Sequence, residues 1–135
     1  MGPAFLKNMR WQRKILRAVN VTRSTMLGDH IRVADSVLTR IVGLLGERGL
    51  PTGDGLLIVP SQGVHTWGMQ FPIDIAVLNG DWQVMAVRSA MGPFRGTRMF
   101  WKATAVLELP AGILSTTSTS VGDQIEFNRA EVAQA

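Results

Sequence analysis

The sequence contains no cysteine, and charged residues make up only 18% of it. Without cysteine the chain has no disulfide framework, no thiolate zinc site and no thiol nucleophile. No apolar run approaches the roughly 20 residues that a membrane-spanning helix needs. With 46% hydrophobic residues the chain is too apolar for a disordered protein, so we expect it to fold around a core of its own.

The 135 residues suit a single domain, and their net charge of +4 is unevenly distributed. Residues 1–40 carry the basic surplus, whereas residues 41–135 are slightly acidic. A specific nucleic-acid interface needs Lys and Arg spread over one face of the folded domain. The charge distribution therefore predicts no specific nucleic-acid partner.

Residues 4–19 have the spacing of an amphipathic helix, with Phe5 and Leu16 on its apolar side and Arg10 and Arg17 on its basic side. Basic residues interrupt the segment too often for a cleavable signal peptide. We expect this arm to pack on its own domain, with weak contact to an anionic membrane through residues 4–19 as the alternative. The cytoplasm or the periphery of the inner membrane is the favoured location, although the sequence leaves the compartment open.

Short β-rich runs separated by turn residues fill most of the remaining chain. The predicted strands are residues 19–23, 26–34, 56–59, 73–78, 82–87, 104–109 and 124–127. One helix is predicted over residues 36–46, where apolar residues recur at helical spacing. Asn79-Gly80 favours a type I′ turn with a positive φ at Gly80.

The predicted fold class is α+β and mostly β. It is a compact antiparallel or mixed sheet, or a barrel-like domain, with one short packed helix. We expect residues 1–19 to form a basic N-terminal helix or arm, residues 20–127 a single β-rich domain, and residues 128–135 a C-terminal tail.

The segment from Val64 to Asp74 combines the residue types most able to bind or react. An extended backbone would put His65 and Trp67 on one face, with Thr66 beside them as a hydrogen-bonding group. Imidazole acts as an acid, a base or a ligand near neutral pH, and Asp74 is placed to orient it. A core histidine bonded to the backbone, with Asp74 holding a loop, is the structural alternative.

Basic and aromatic residues interleave between residues 93 and 102, where Arg95 is the leading candidate for an anion-binding group. Arg40, at the edge of the predicted helix, is a second candidate. A loop pinned by its aromatic rings explains the same pattern structurally. We expect Glu108, in an alternating strand, to be exposed or paired with an arginine.

Several familiar sites are excluded by spacing. The sequence has no histidine pair at metal-ligand spacing, no phosphate-binding glycine loop and no nucleophile elbow around Ser61. We therefore predict no metal and no cofactor, and no residue is assigned as catalytic.

A set of short segments, taken together in order, carries a family resemblance. They are Val33–Asp35, Arg40–Gly46, Gly55–Pro60, Val64–Thr66 with Met69, Pro72–Asp74, Pro93–Arg95, Val106–Pro110 and Gly122-Asp123. Over about residues 20 to 127 they resemble the uncharacterised prokaryotic family DUF192, a domain of unknown function. The resemblance implies a compact β-rich domain and no particular activity, because the family has no established substrate, cofactor or catalytic residue.

This chain departs from the family pattern in two ways. Members commonly have a cysteine after the proline that corresponds to Pro60, where this chain has Ser61, so no thiol-dependent role operates here. Members often carry a signal sequence or lipoprotein anchor, which the interrupted basic segment of residues 4–19 does not resemble.

Three functions remain open. The leading hypothesis is a non-enzymatic binding or accessory domain at the cell envelope that holds a small ligand or protein partner through His65, Trp67, Asp74 and Arg95. The alternative is a small enzyme in which His65 is the general base, oriented by Asp74, and Arg40 or Arg95 clamps an anion. The third is a purely structural or interaction module.

Overall fold

The computed structural model describes residues 15–34, 50–62, 71–92 and 100–130, which form one mixed seven-stranded sheet and one short helix. The strands are β1 (Ile15–Asn20), β2 (Thr25–Ala34), β3 (Asp54–Ile58), β4 (Ile73–Asn79), β5 (Val84–Met91), β6 (Ala103–Pro110) and β7 (Ile125–Arg129). The helix, α1, is Ile113–Thr116. The predicted fold class, mostly β with a mixed sheet, is confirmed, although the sheet is not closed into a barrel.

The strand order is β5-β4-β6-β3-β2-β1-β7. Two antiparallel hairpins, β1–β2 and β4–β5, each consist of strands that are consecutive in the sequence. They are joined through β3, which pairs in parallel with β2, and through β6, which pairs antiparallel with both β3 and β4. The last strand, β7, returns to the outside of β1. Strand β6, which lies between β4 and β3, thus comes from late in the chain.

The prediction of a helix over residues 4–19 is wrong for residues 15–19, because these residues belong to β1. Leu16 and Ala18 are buried while Arg17 between them is half-buried, which is the two-residue period of a strand. Pairing with β2 on one side and β7 on the other outweighs the helical spacing. The rest of that prediction, and the predicted helix over residues 36–46, lie outside the described residues.

The β4–β5 turn also differs from the prediction. The φ of Gly80 is not positive; the left-handed residue is Trp82, with φ 62°. The Asn79 side chain explains this turn, because its Oδ1 accepts from the Asp81 amide at 2.9 Å and from the Gln83 amide at 3.0 Å. An asparagine-capped turn with one extra residue replaces the predicted type I′ turn.

Both faces of the central strands are buried. On one, the Leu107 face, Leu107 packs with Leu57, Ala76 and the T-shaped ring pair of Trp82 and Phe127, whose centroids are 5.3 Å apart. The opposite face, the Glu108 face, has Leu56, Ile75 and Val106 as its apolar centre. Burial on both faces is why residues 105–107 are an unbroken apolar run.

The two edge strands approach each other at one point, where Gln83 and Gln124 form an isolated antiparallel bridge. The Val84 amide donates to the Asp123 carbonyl, and the Ile125 amide donates to the Trp82 carbonyl, each at 2.9 Å. This contact ties the start of β5 to the start of β7.

Candidate functional site

Of the six candidate binding residues, only Asp74 lies within the described residues; His65, Thr66, Trp67, Arg40 and Arg95 lie outside them. Asp74 is 0% exposed, and its carboxylate accepts three backbone hydrogen bonds. The Ala90 amide donates to Oδ1 at 2.7 Å, and the Gly112 and Leu114 amides donate to Oδ2 at 3.0 and 2.9 Å. Asp74 therefore ties together β4, β5 and the start of α1.

The backbone around Asp74 is unusual in a way that the carboxylate explains. Ala90 has a φ of 48°, which is unusual for a residue other than glycine. It lies at a β-bulge, because β5 has one residue more than β4 between the pair Ile73–Met91 and the pair Ile75–Arg88. Its amide is aimed at Asp74. Asp74 also supplies the side-chain acceptor for the first amides of α1, where Gly112 has a φ of 99°. These contacts give Asp74 the loop-holding role that the sequence offers as its structural alternative.

A second buried carboxylate lies on the opposite face. Glu108 is 0% exposed, so the expectation that it is solvent-exposed is wrong. In the registers of β6 it stands opposite Ile75 of β4 and Leu56 of β3, whereas Asp74 stands opposite Leu109. The two acids consequently project to different faces of the sheet.

Two arginines share the cross-strand row of Glu108. Arg32 of β2 pairs with Leu56, and Arg88 of β5 pairs with Ile75, so each lies two strands away from Glu108 on the same face. At about 4.8 Å between strands, their Cα atoms are roughly 10 Å from that of Glu108. The Arg88 guanidinium lies 5.9 Å from the centre of the Phe100 ring. The Glu108 face therefore has a carboxylate at its centre and cationic side chains on two sides.

A third polar cluster surrounds Asp123, which is 3% exposed. Its Oδ2 accepts from Asn20 Nδ2 at 2.9 Å, from the Ser120 amide at 3.0 Å and from Arg23 Nε at 3.1 Å. Asn20 Nδ2 also donates to the hydroxyl of Thr119 at 3.0 Å. These bonds join the β1–β2 hairpin to the loop before β7, which is a structural task.

The Asp123 cluster predicts an acid-sensitive stability. Burial raises the pKa of Asp123, whereas hydrogen bonds from Asn20, Ser120 and Arg23, together with the Arg23 charge, lower it. The lowering effects outweigh burial, so the pKa of Asp123 lies below its ordinary value. A carboxyl whose pKa is lower in the folded state stabilises it above the unfolded pKa, and that contribution disappears as the pH falls below about 4. We expect Asp123→Asn to flatten the fall in melting temperature between about pH 5 and pH 3. An equally steep fall in the variant would contradict this, and Glu126→Gln, on the exposed side of β7, is the matched control.

Sequence reasoning missed Glu108 and Asn20 as buried polar residues. For Glu108 a signal was available, because the apolar run before it indicates a strand covered on both faces. For Asn20 there was none, since its partners Thr119 and Asp123 are distant in sequence. Within the described ranges, no three acidic or histidine side chains are grouped as metal ligands. No helix in the described part of the chain is long and apolar enough to cross a membrane.

An open, mixed seven-stranded sheet, with Asp74 buried on one face and Glu108 on the other, defines a single-sheet β domain. The family model DUF192, described as an uncharacterized ACR, matches residues 19–127. The chain belongs to this family, which confirms the resemblance found in the sequence, and the family's function is unknown.

Relatives agree with this placement. A UPF0127 protein of Pyrococcus furiosus is 28% identical over 116 residues, which are 82% of this chain and 97% of that protein. The crystal structure of a protein of unknown function from Novosphingobium aromaticivorans has a TM-score of 0.69 at 18% identity, with 82% of each chain covered. A structure from Sinorhizobium meliloti, described as a candidate transcription regulator, has a TM-score of 0.68 at 21% identity and covers 83% of this chain and 91% of that one. At these identities the two structures show a shared fold.

Proposed function

We propose that this chain is a non-enzymatic binding domain that holds a small ligand on the Glu108 face, as an accessory protein at the cell envelope. The observation that carries the proposal is the fully buried Glu108 carboxylate among the apolar residues at the centre of this face, with Arg32 and Arg88 in the same cross-strand row. Buried carboxylates concentrate at functional sites.

The attachment points of the remaining candidate residues support this placement. Arg40 lies between Ala34 and Leu50, His65 between Gln62 and Phe71, and Arg95 between Gly92 and Phe100. Of the flanking described residues, Ala34, Leu50, Phe71 and Phe100 are all buried in the apolar cluster of the Glu108 face. Each segment that carries one of these candidates is thus flanked by at least one described residue of this apolar cluster.

We accordingly propose that His65, Thr66, Trp67, Arg40 and Arg95 meet the ligand above the Glu108 face, and that Asp74 supports the site from the opposite side. The bulged end of β5 that Asp74 holds carries Arg88, two residues before Ala90. An enzyme with a His65–Asp74 pair draws no support from the three amides that already occupy both Asp74 oxygens.

The chemistry of the face indicates the kind of ligand. A carboxylate accepts hydrogen bonds and attracts positive charge, and Leu56, Ile75 and Val106 beside it offer apolar contact. The ligand that suits this combination has an apolar body and an amine, amidine or hydroxyl donor. A purely structural module would need no such ligand.

The test is a nuclear magnetic resonance screen of a fragment library of small amines, amidines and alcohols. Ligands are expected to shift the amide signals of Leu56, Ile75 and Val106 more than those of Ala18 and Phe127, which lie on the Leu107 face. Glu108→Gln keeps the side-chain volume and removes the charge, so the same fragments should bind it at least about tenfold more weakly.

Glu126→Gln is the matched control, because Glu126 is exposed on β7 and far from the Glu108 face in strand order. It should bind like the wild type. Fragments that perturb only the Leu107 face, or that bind Glu108→Gln with unchanged affinity, would refute the proposed site.

A further inference from the structure

Trp101 is the most exposed large hydrophobic residue of the described chain, at 88% of its full accessible area. An indole is large and mostly apolar, and leaving it in water is unfavourable unless a contact covers it. Its neighbour Lys102 is also exposed. The two residues form the tip of the turn that leads into β6.

This turn is held in place by its backbone. The Ala103 amide donates to the Phe100 carbonyl at 2.9 Å, and the Phe100 amide donates to the Gln62 carbonyl at 2.8 Å. Gln62 Nε2 donates in turn to the Trp101 carbonyl at 3.1 Å. Phe100 itself is 6% exposed in the core of the Glu108 face. A buried anchor on one side thus fixes an exposed indole on the other.

The shape of the Trp101 surface restricts its partner. Small-molecule sites are concave and cover most of the ligand, whereas a side chain that is 88% exposed stands out from the surface. An indole next to a lysine suits the headgroup region of a lipid bilayer, where the ring enters the interface and the ammonium meets anionic phosphate. A protruding, positively charged tip therefore favours a flat anionic surface.

We propose that the Trp101–Lys102 turn is a contact for an anionic lipid surface. The contact is independent of the ligand site on the Glu108 face. Asp81, in the exposed turn that follows β4 at the same end, opposes the contact by its charge.

The experiment is co-sedimentation of the full chain with vesicles of phosphatidylcholine alone or mixed with phosphatidylglycerol. The wild type should bind the mixed vesicles more tightly and lose that binding at high salt. Trp101→Ala should weaken binding about tenfold and Lys102→Gln about fivefold. Asp81→Asn should strengthen it. Val121→Ala removes an exposed apolar residue of the loop before β7, 62% exposed, and should leave binding unchanged.

A second measurement reports the contact directly. Vesicles with brominated acyl chains should quench the wild-type tryptophan fluorescence, and Trp101→Phe should lose most of that quenching while still sedimenting with the vesicles. Equal binding to both kinds of vesicle, or unchanged binding by Trp101→Ala, would overturn the proposal. No binding to either vesicle would also overturn it and would point to a pocket on a protein partner as the cover for Trp101.

Discussion

Replacing Asp74 with alanine is expected to lower the free energy of unfolding by about 3 to 5 kcal/mol, because three backbone amides lose their acceptor at once. The amide of Leu114 is buried, and those of Ala90 and Gly112 are partly buried. Ala90 would also lose the hydrogen bond that holds its left-handed backbone. Thermal denaturation should show a fall in melting temperature of about 10 °C or more.

Two variants show whether the hydrogen bonds cause the loss. Asp74→Asn keeps one acceptor oxygen, which can accept from the Gly112 and Leu114 amides. The new side-chain NH2 group would then face the Ala90 amide, so the loss of stability should be intermediate. Asp81→Asn, in an exposed turn, should change stability by less than about 0.5 kcal/mol. A stable Asp74→Ala variant that has lost only ligand binding would instead assign Asp74 to the binding site.

Gly55→Ala is the second substitution with a large expected effect. A Cβ at Gly55 would lie 2.6 Å from Ile31 Cδ1, 2.9 Å from the Glu108 carbonyl oxygen and 3.1 Å from Leu109 Cδ2. The isoleucine methyl is able to move, but the carbonyl belongs to the backbone of β6, so β3 and β6 would have to separate. We expect a loss of about 3 kcal/mol in chemical denaturation.

Adding Ile31→Val to Gly55→Ala distinguishes the two clashes. The double variant removes the side-chain contact and keeps the backbone contact, so it should recover less than half of the loss. Gly80→Ala is the matched control, since its nearest neighbour would be Thr104 Oγ1 at an ordinary 3.5 Å and its φ is not positive. Its stability should stay within about 0.5 kcal/mol of the wild type. A full recovery in the double variant would show that the strand backbones are not in tight contact.

The parts of the fold that were predictable from the sequence are those with local causes. Alternating and β-branched runs separated by turn residues indicate both hairpins, and β2, β4 and β5 lie within a few residues of their predicted bounds. Strand β1 is the exception, because most of it falls in the segment that was predicted to be helical. The parallel pair of β2 and β3 and the insertion of β6 between β3 and β4 depend on contacts distant in sequence, which no local pattern reports. The same holds for α1, whose four residues are too few for a helical period and whose first amides depend on Asp74.

The candidate site was less predictable than the fold. The sequence singles out Asp74 as a candidate site residue, but its hydrogen-bond partners in the structure are backbone amides, which have no sequence signature. Glu108 is misjudged because a strand with alternating polarity usually has water on its polar side. The positive φ of Trp82 was not predictable for a similar reason. An Asn-Gly pair normally places a positive φ at the glycine, but here the Asn79 side chain accepts from the Gln83 amide and the positive φ falls at Trp82.

The late position of β6 in the sequence has a consequence for how the chain assembles. During synthesis, β1 to β5 leave the ribosome before the strand that joins their two halves, so the edges of β3 and β4 stay open until residues 103–110 emerge. Folding then waits for long-range pairing, which is slower than hairpin formation and exposes apolar edges in the meantime. A truncated chain that ends before Ala103 should accordingly aggregate, with two hairpins formed and no strand to hold them together.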